Sequence, residues 1–205
     1  MKKKFLALVL LMTLLGTVLS GCGDGSAAQT QKSRADTNEL VVGIAQDLDD
    51  SLDPHKTVKA GTREVMFNVF EGLMKPTPDG DLTPAIAESY EVSEDRMTYT
   101  FHLREGVQFH NGETVTAEDV KYSIDRCADT SEGDPLVEAF SVIQAVEILD
   151  ERTVAITISE PSNEFISYMT TAILPVDYDQ QDTAPVGTGP FKFVSRTAQD
   201  SIVLE

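Results

Sequence analysis

Residues 84–112, PAIAESYEVSEDRMTYTFHLREGVQFHNG, constrain the fold more than any other stretch, because they combine strict alternation with turn chemistry at both ends. Met97, Tyr99, Phe101 and Leu103 take one face; Thr98, Thr100, His102 and Arg104 take the other. That is the two-residue period of an antiparallel strand buried on one side. Ser93, Glu94, Asp95 and Arg96 are polar turn formers between this strand and the shorter run at 90–92, so the spacing predicts a hairpin over a core. Arg104, Glu105 and Gly106 end it.

A second hairpin is expected at 145–149 and 153–159, with Val146, Ile148, Val154, Ile156 and Ile158 on its apolar side. Thr116 and Asp119 stand at capping-box spacing and Glu118 suits the positive end of a helix dipole, which predicts a helix over 117–128. In that helix Val120, Ser123, Ile124 and Cys127 share a face, so Cys127 is a buried small hydrophobe, not a reactive thiol. Fourfold spacing of Val65, Val69 and Leu73, with Met66 and Phe70 alongside, predicts a helix over 61–74. Short helices are expected at 136–143 and 162–172, a turn at 75–83, and strands at 39–45, 191–195 and 201–204.

The wording of the hairpin resembles a known signature. Ala87, Glu88 and Ser89, followed by 99–107 (YTFHLREGV) and Phe109, resemble the extracytoplasmic peptide-binding proteins of ABC importers, a family with dipeptide, oligopeptide and nickel-binding members. The resemblance extends through Ser51, Leu52, Asp53, Pro54 and His55, through Phe70, Glu71, Gly72 and Leu73, through 114–122 (TVTAEDVKY) and through 187–191 (GTGPF), so it covers 40–205.

The formal net charge is −18; a leader carrying Lys2, Lys3, Lys4 and no acid would leave 13 basic against 34 acidic residues, or −21. Nucleic acid is excluded as a partner, since phosphate binding needs a basic surface. Residues 1–21 read as a secretion signal: three lysines, an apolar run over 5–19, then small residues before Cys22. Leu19, Ser20, Gly21 and Cys22 resemble the bacterial lipobox, which implies a lipid on the Cys22 thiol and anchoring at the extracytoplasmic face of the membrane. Residues 22–38 are rich in Gly, Ser, Ala, Gln and Thr and read as a flexible tether.

No enzyme is expected. His55, His102 and His110 form no metal-ligand spacing, the 187–189 glycines lack the Lys of a phosphate cradle, and no nucleophile elbow is present. The acidic run 47–53 has Leu52 and Val58 where a calcium loop requires Gly and Glu. Neither metal nor cofactor is expected.

The resemblance implies an α/β to α+β chain, the first lobe of a two-lobed periplasmic-binding-protein fold (mixed sheet with helices) plus an inserted α+β subdomain, with the second lobe absent. Residues 39–68 and 185–205 would belong to the sheet-based lobe and 69–184 to the insertion. It implies that Thr57, Val58, Lys59, Ala60 and Gly61 lie along a peptide ligand as an added strand. Leu136 stands where a ligand-adjacent Tyr occurs, without its hydroxyl. The implied function is capture of peptides for an ABC permease; a nickel chelate, another small solute, or a truncated remnant without transport activity are the alternatives.

Overall fold

The strand at the centre of the fold is Thr98–Leu103 (β4), with Tyr99, Phe101 and Leu103 no more than 3% exposed and Thr98, Thr100 and His102 half-buried. The structure is a computed structural model that describes residues 38–46, 48–131 and 133–205. The expected signal, Cys22 and nearly all of the tether lie outside the described residues. No helix among the described residues is long and apolar enough to cross a membrane.

Around β4 the elements run in chain order: α1 (Ala60–Met66), β1 (Met74–Pro76), β2 (Leu82–Pro84), β3 (Ala87–Val92), β4, α2 (Ala117–Ala128), β5 (Ile143–Asp150), β6 (Thr153–Ile158), β7 (Phe193–Thr197) and β8 (Ser201–Leu204). Two 3₁₀ helices, Glu138–Val142 and Phe165–Thr170, flank the β5–β6 hairpin. The main sheet is antiparallel in the order β3-β4-β6-β5, with Tyr90 opposite Phe101 and Phe101 opposite Val154. The turn between β3 and β4 is held by Asp95, whose carboxylate accepts from the Met97 amide at 3.0 Å and the Ser93 hydroxyl at 2.5 Å. Met97 precedes the strand and is half-buried, so the core face starts at Tyr99.

Helix α2 has both halves of its expected capping box. The Thr116 amide donates to Asp119 Oδ2 at 2.8 Å, and the Asp119 amide points back at Thr116 Oγ1. Val120, Ile124 and Cys127 are fully buried against the sheet, and burial pushes the Cys127 thiol up to about 12, so it stays protonated. A second apolar cluster, Leu52, Met66, Val69, Phe70, Ala172 and Leu174, is covered in part by Phe193, Ile202 and Leu204 of the β7–β8 hairpin.

Several expected elements differ. The helix predicted over 61–74 ends at Met66. Val69, Phe70 and Leu73 are buried as expected, but by chain packed on several sides, because Gly72 must pass where an added Cβ would lie 2.5 Å from the Met169 carbonyl. Fourfold apolar spacing thus reflected burial rather than helix. The strand expected at 39–45 does not form; no strand pairs with it among the described residues, and a strand exists only in a ladder. The helices expected at 136–143 and 162–172 are single 3₁₀ stretches, shortened by Pro135 and Pro161 before them and extended chain after them. Ile148, assigned to the core, is 41% exposed: β5 is an edge strand and its register slips between Ile148 and Asp150. The strand expected at 191–195 begins two residues later, at Phe193.

Phe101 is fully buried in the main apolar cluster and its ring lies 5.8 Å from that of Tyr90 between centroids. Phe101→Ala is expected to lower stability by about 3–5 kcal/mol in urea unfolding followed by circular dichroism. A loss below about 1 kcal/mol would show that this face does not carry the core.

Candidate functional site

The 51–57 loop is knotted by its own polar groups. The Asp53 amide donates to Ser51 Oγ at 3.0 Å and the His55 amide to Asp53 Oδ1 at 3.0 Å. The Thr57 hydroxyl lies 2.7 Å from the carbonyls of both Ser51 and Asp53. Leu52 sits at 0% exposure in the second apolar cluster, so the loop is pinned from beneath.

Asp53 is 2% exposed, and a carboxylate so placed requires a partner. Arg126, from the last turn of α2, supplies it with a two-pronged contact, Nη1 to Oδ1 at 3.1 Å and Nη2 to Oδ2 at 2.5 Å. Arg126 Nη1 also points at His55 Nδ1, 3.0 Å away, while His55 Nε2 lies 2.8 Å from the Ala172 carbonyl. Only one tautomer satisfies both contacts: the Nε2–H donates to Ala172 and Nδ1 accepts from Arg126. Burial, joined by the Arg126 charge, lowers the His55 pKa to about 4, so the ring is neutral near pH 7.

Two further segments are held by neighbouring elements. Helix α2 grips residues 174–176: the Leu174 amide donates to Ser123 Oγ at 2.8 Å and the Val176 amide to Asp119 Oδ1 at 2.9 Å. The 187–191 turn lies directly on 68–70, with the Gly189 amide donating to the Val69 carbonyl at 2.9 Å and the Phe191 amide to the Asn68 carbonyl at 3.1 Å. A Cβ on Gly187 would lie 2.2 Å from the Val69 carbonyl oxygen, which leaves room for glycine alone. His110 braces the turn through Nε2 to the Gly189 carbonyl at 2.9 Å.

Between these segments opens a cleft of about 550 Å³, bordered by the 54–57 loop, α1, residues 70–76, Leu136 and Val137, residues 170–172, and Pro190. Of the residues expected along a ligand, Thr57 and Leu136 line it. Val58, Lys59 and Ala60 are exposed outside that lining, and Gly61 is buried. The Val58 and Lys59 amides both donate to Asp50 Oδ2 at 2.9 Å, and the Gly61 amide donates to Gln46 Oε1 at 3.0 Å. These amide contacts, that of Lys59 foremost, hold the Asp50 carboxyl below its usual range. The sequence pattern gave no site role to Arg126, Arg63, Glu71 or Lys75. The partner of Arg126 lies 73 residues away, a distance that leaves no local pattern.

The profile of the bacterial extracellular solute-binding proteins, family 5 (middle), matches residues 81–205. The chain belongs to this family. Among its relatives is the glutathione-binding protein GsiB of Pectobacterium atrosepticum, 31% identical over 163 residues, which span 76% of this chain and 32% of the relative. Among solved structures, AgaA of A. tumefacien R10 in complex with agropinic acid is 38% identical with a TM-score of 0.70, over 76% of this chain and 33% of that one. DppA of Helicobacter pylori, in complex with the peptide STSA, is 29% identical with a TM-score of 0.66, over 75% and 36%. The fold of this sheet-and-helix chain is thus that of part of a periplasmic binding protein, and the chain spans about a third of the length of the curated relatives it matches.

In this family member the neutral His55 makes stability pH-dependent. Its folded pKa is lowered from 6.5 to about 4, so its contribution is complete above 6.5 and is lost as pH falls towards 4. A shift of that size corresponds to at most about 3 kcal/mol. Urea unfolding at pH 7.5 and 4.5 should show a smaller acid-induced loss for His55→Gln than for the wild type. Equal losses in the two proteins would show that the ring does not stay neutral.

Proposed function

We propose that this chain is the cleft-bearing part of an extracytoplasmic solute-capture protein of an ABC importer, with peptide as the solute handed to the permease. The observation that carries the reading is the open cleft of mixed polar and apolar lining on a chain of this family. The peptide-bound DppA and the glutathione-binding relative favour peptide over a nickel chelate. Capture needs a shaped cavity and domain closure, not bond chemistry, so the protein is a binding module and no enzyme.

In this reading Thr57, Val58, Lys59, Ala60, Gly61 and Leu136 face the ligand. The lining positions of Thr57 and Leu136 support it. Since the amides of Val58 and Lys59 are already engaged by Asp50, that segment would meet a peptide through side chains and carbonyls. Residues 39–68 and 185–205 form part of a sheet-based lobe and 69–184 the inserted subdomain. One apolar cluster has all its buried members within 73–173, which supports the insertion as a unit with its own core, while the other joins Leu52 and Met66 to Val69, Phe70, Ala172 and Leu174 and so lies across the boundary of the two parts. Cys22 carries the lipid that holds the protein to the membrane outside the cell, a reading supported by its lipobox-like setting and the extracellular description of the family.

Calorimetry of the full natural-length protein with di- to tetrapeptides is expected to give a Kd near micromolar or tighter, about −8 kcal/mol. Heat from a sugar conjugate with none from any peptide would replace peptide as the solute. Intact-mass measurement of membrane-extracted protein should show the acyl mass on Cys22, and Cys22→Ala should release the protein from the membrane fraction. An unmodified Cys22 in soluble wild-type protein would refute the anchor.

A further inference from the structure

The walls of the cleft differ in chemistry, and one side chain has capacity that the protein does not use. Phe67 and Leu136 stand in the lining at 63% and 50% exposure, large apolar surfaces open to solvent. The polar groups are mostly satisfied: Lys75 and Glu71 pair at 3.1 Å, and both ring nitrogens of His55 are occupied. Arg63 is different. Its Nε donates to the Thr57 carbonyl at 2.9 Å, and Thr57 is 3% exposed and itself held by Ser51 and Asp53. The guanidinium is therefore oriented by a fixed point, while among the described residues no carboxylate stands within ion-pair distance of its two Nη groups.

An oriented guanidinium with its terminal nitrogens unclaimed presents parallel donors that match the two oxygens of a carboxylate. The chain carries a net charge of −18, so its long-range field disfavours anions. A short-range, directed cation is what can hold one here. Resting on the solute-capture reading above, we infer that the cleft takes a solute with a carboxylate seated on the Arg63 Nη pair and an apolar group lying against Phe67 and Leu136. Thr57 then has a second part, as the positioning residue whose carbonyl aims the guanidinium.

The test uses the full natural-length protein and two probe pairs, the tripeptide Ala-Ala-Leu with its C-terminal amide, and 4-methylpentanoate with 4-methylpentanamide. Calorimetry should show each acid bound at least about tenfold more tightly than its amide. In Arg63→Gln the preference should shrink to within about threefold; Arg63→Lys should fall between. Tripeptides bound equally well as acid and amide, or weakened equally by Arg63→Gln, would overturn the inference and leave peptide capture standing. An Arg63-dependent preference seen only in the methylpentanoate pair would uphold the inference and overturn peptide as the solute. Binding of neither pair would overturn both.

Discussion

The buried ion pair between Asp53 and Arg126 is the interaction on which the arrangement of the cleft depends. A carboxylate at 2% exposure is stable only with a charged, well-directed partner, and Arg126 meets both oxygens. The same guanidinium reaches His55, and His55 reaches the Ala172 carbonyl, so three segments distant in sequence are tied at one point. Replacing such a pair by apolar groups can be neutral in energy, but removing one member leaves a charge in a medium that cannot solvate it. The pair therefore acts as a registration pin: it sets where the 51–57 loop lies against α2, and thereby where Thr57 and His55 enter the cleft.

The fold was legible where local rules and tertiary burial agree. In β4 the alternating side chains are also the alternating buried ones, and at α2 Thr116 and Asp119 satisfy one another without help from distant chain. It was illegible where burial comes from several directions. Val65, Val69 and Leu73 have helical spacing, yet the chain leaves the helix at Phe67 because the next residues must pass the 169–171 backbone and receive the 187–191 turn. The site was legible in half. Thr57 and Leu136 line the cleft, whereas the amides of Val58 and Lys59 are engaged by Asp50, a residue the sequence offered only as one of several acids in a run. Arg63 and Arg126 carried no signal at all, because one arginine on a helix reads the same whether its partner is solvent, a carboxylate 73 residues away, or a cleft.

The glycines at 72, 187 and 189 give the cleft a further property. At each, main chain touches main chain: an added methyl would lie within 2.6 Å of a backbone oxygen of another segment. The part of the cleft built from 68–72, 170–172 and Pro190 is thus shaped by peptide groups, while Phe67, Leu136 and Arg63 stand on it as removable fittings. Exchanging a fitting alters the chemistry of the lining and leaves the dimensions of the cavity alone; one methyl group at Gly72 or Gly189 would change the dimensions themselves. Under the solute-capture proposal, such a division would let side-chain substitution change the solute over an unchanging mould.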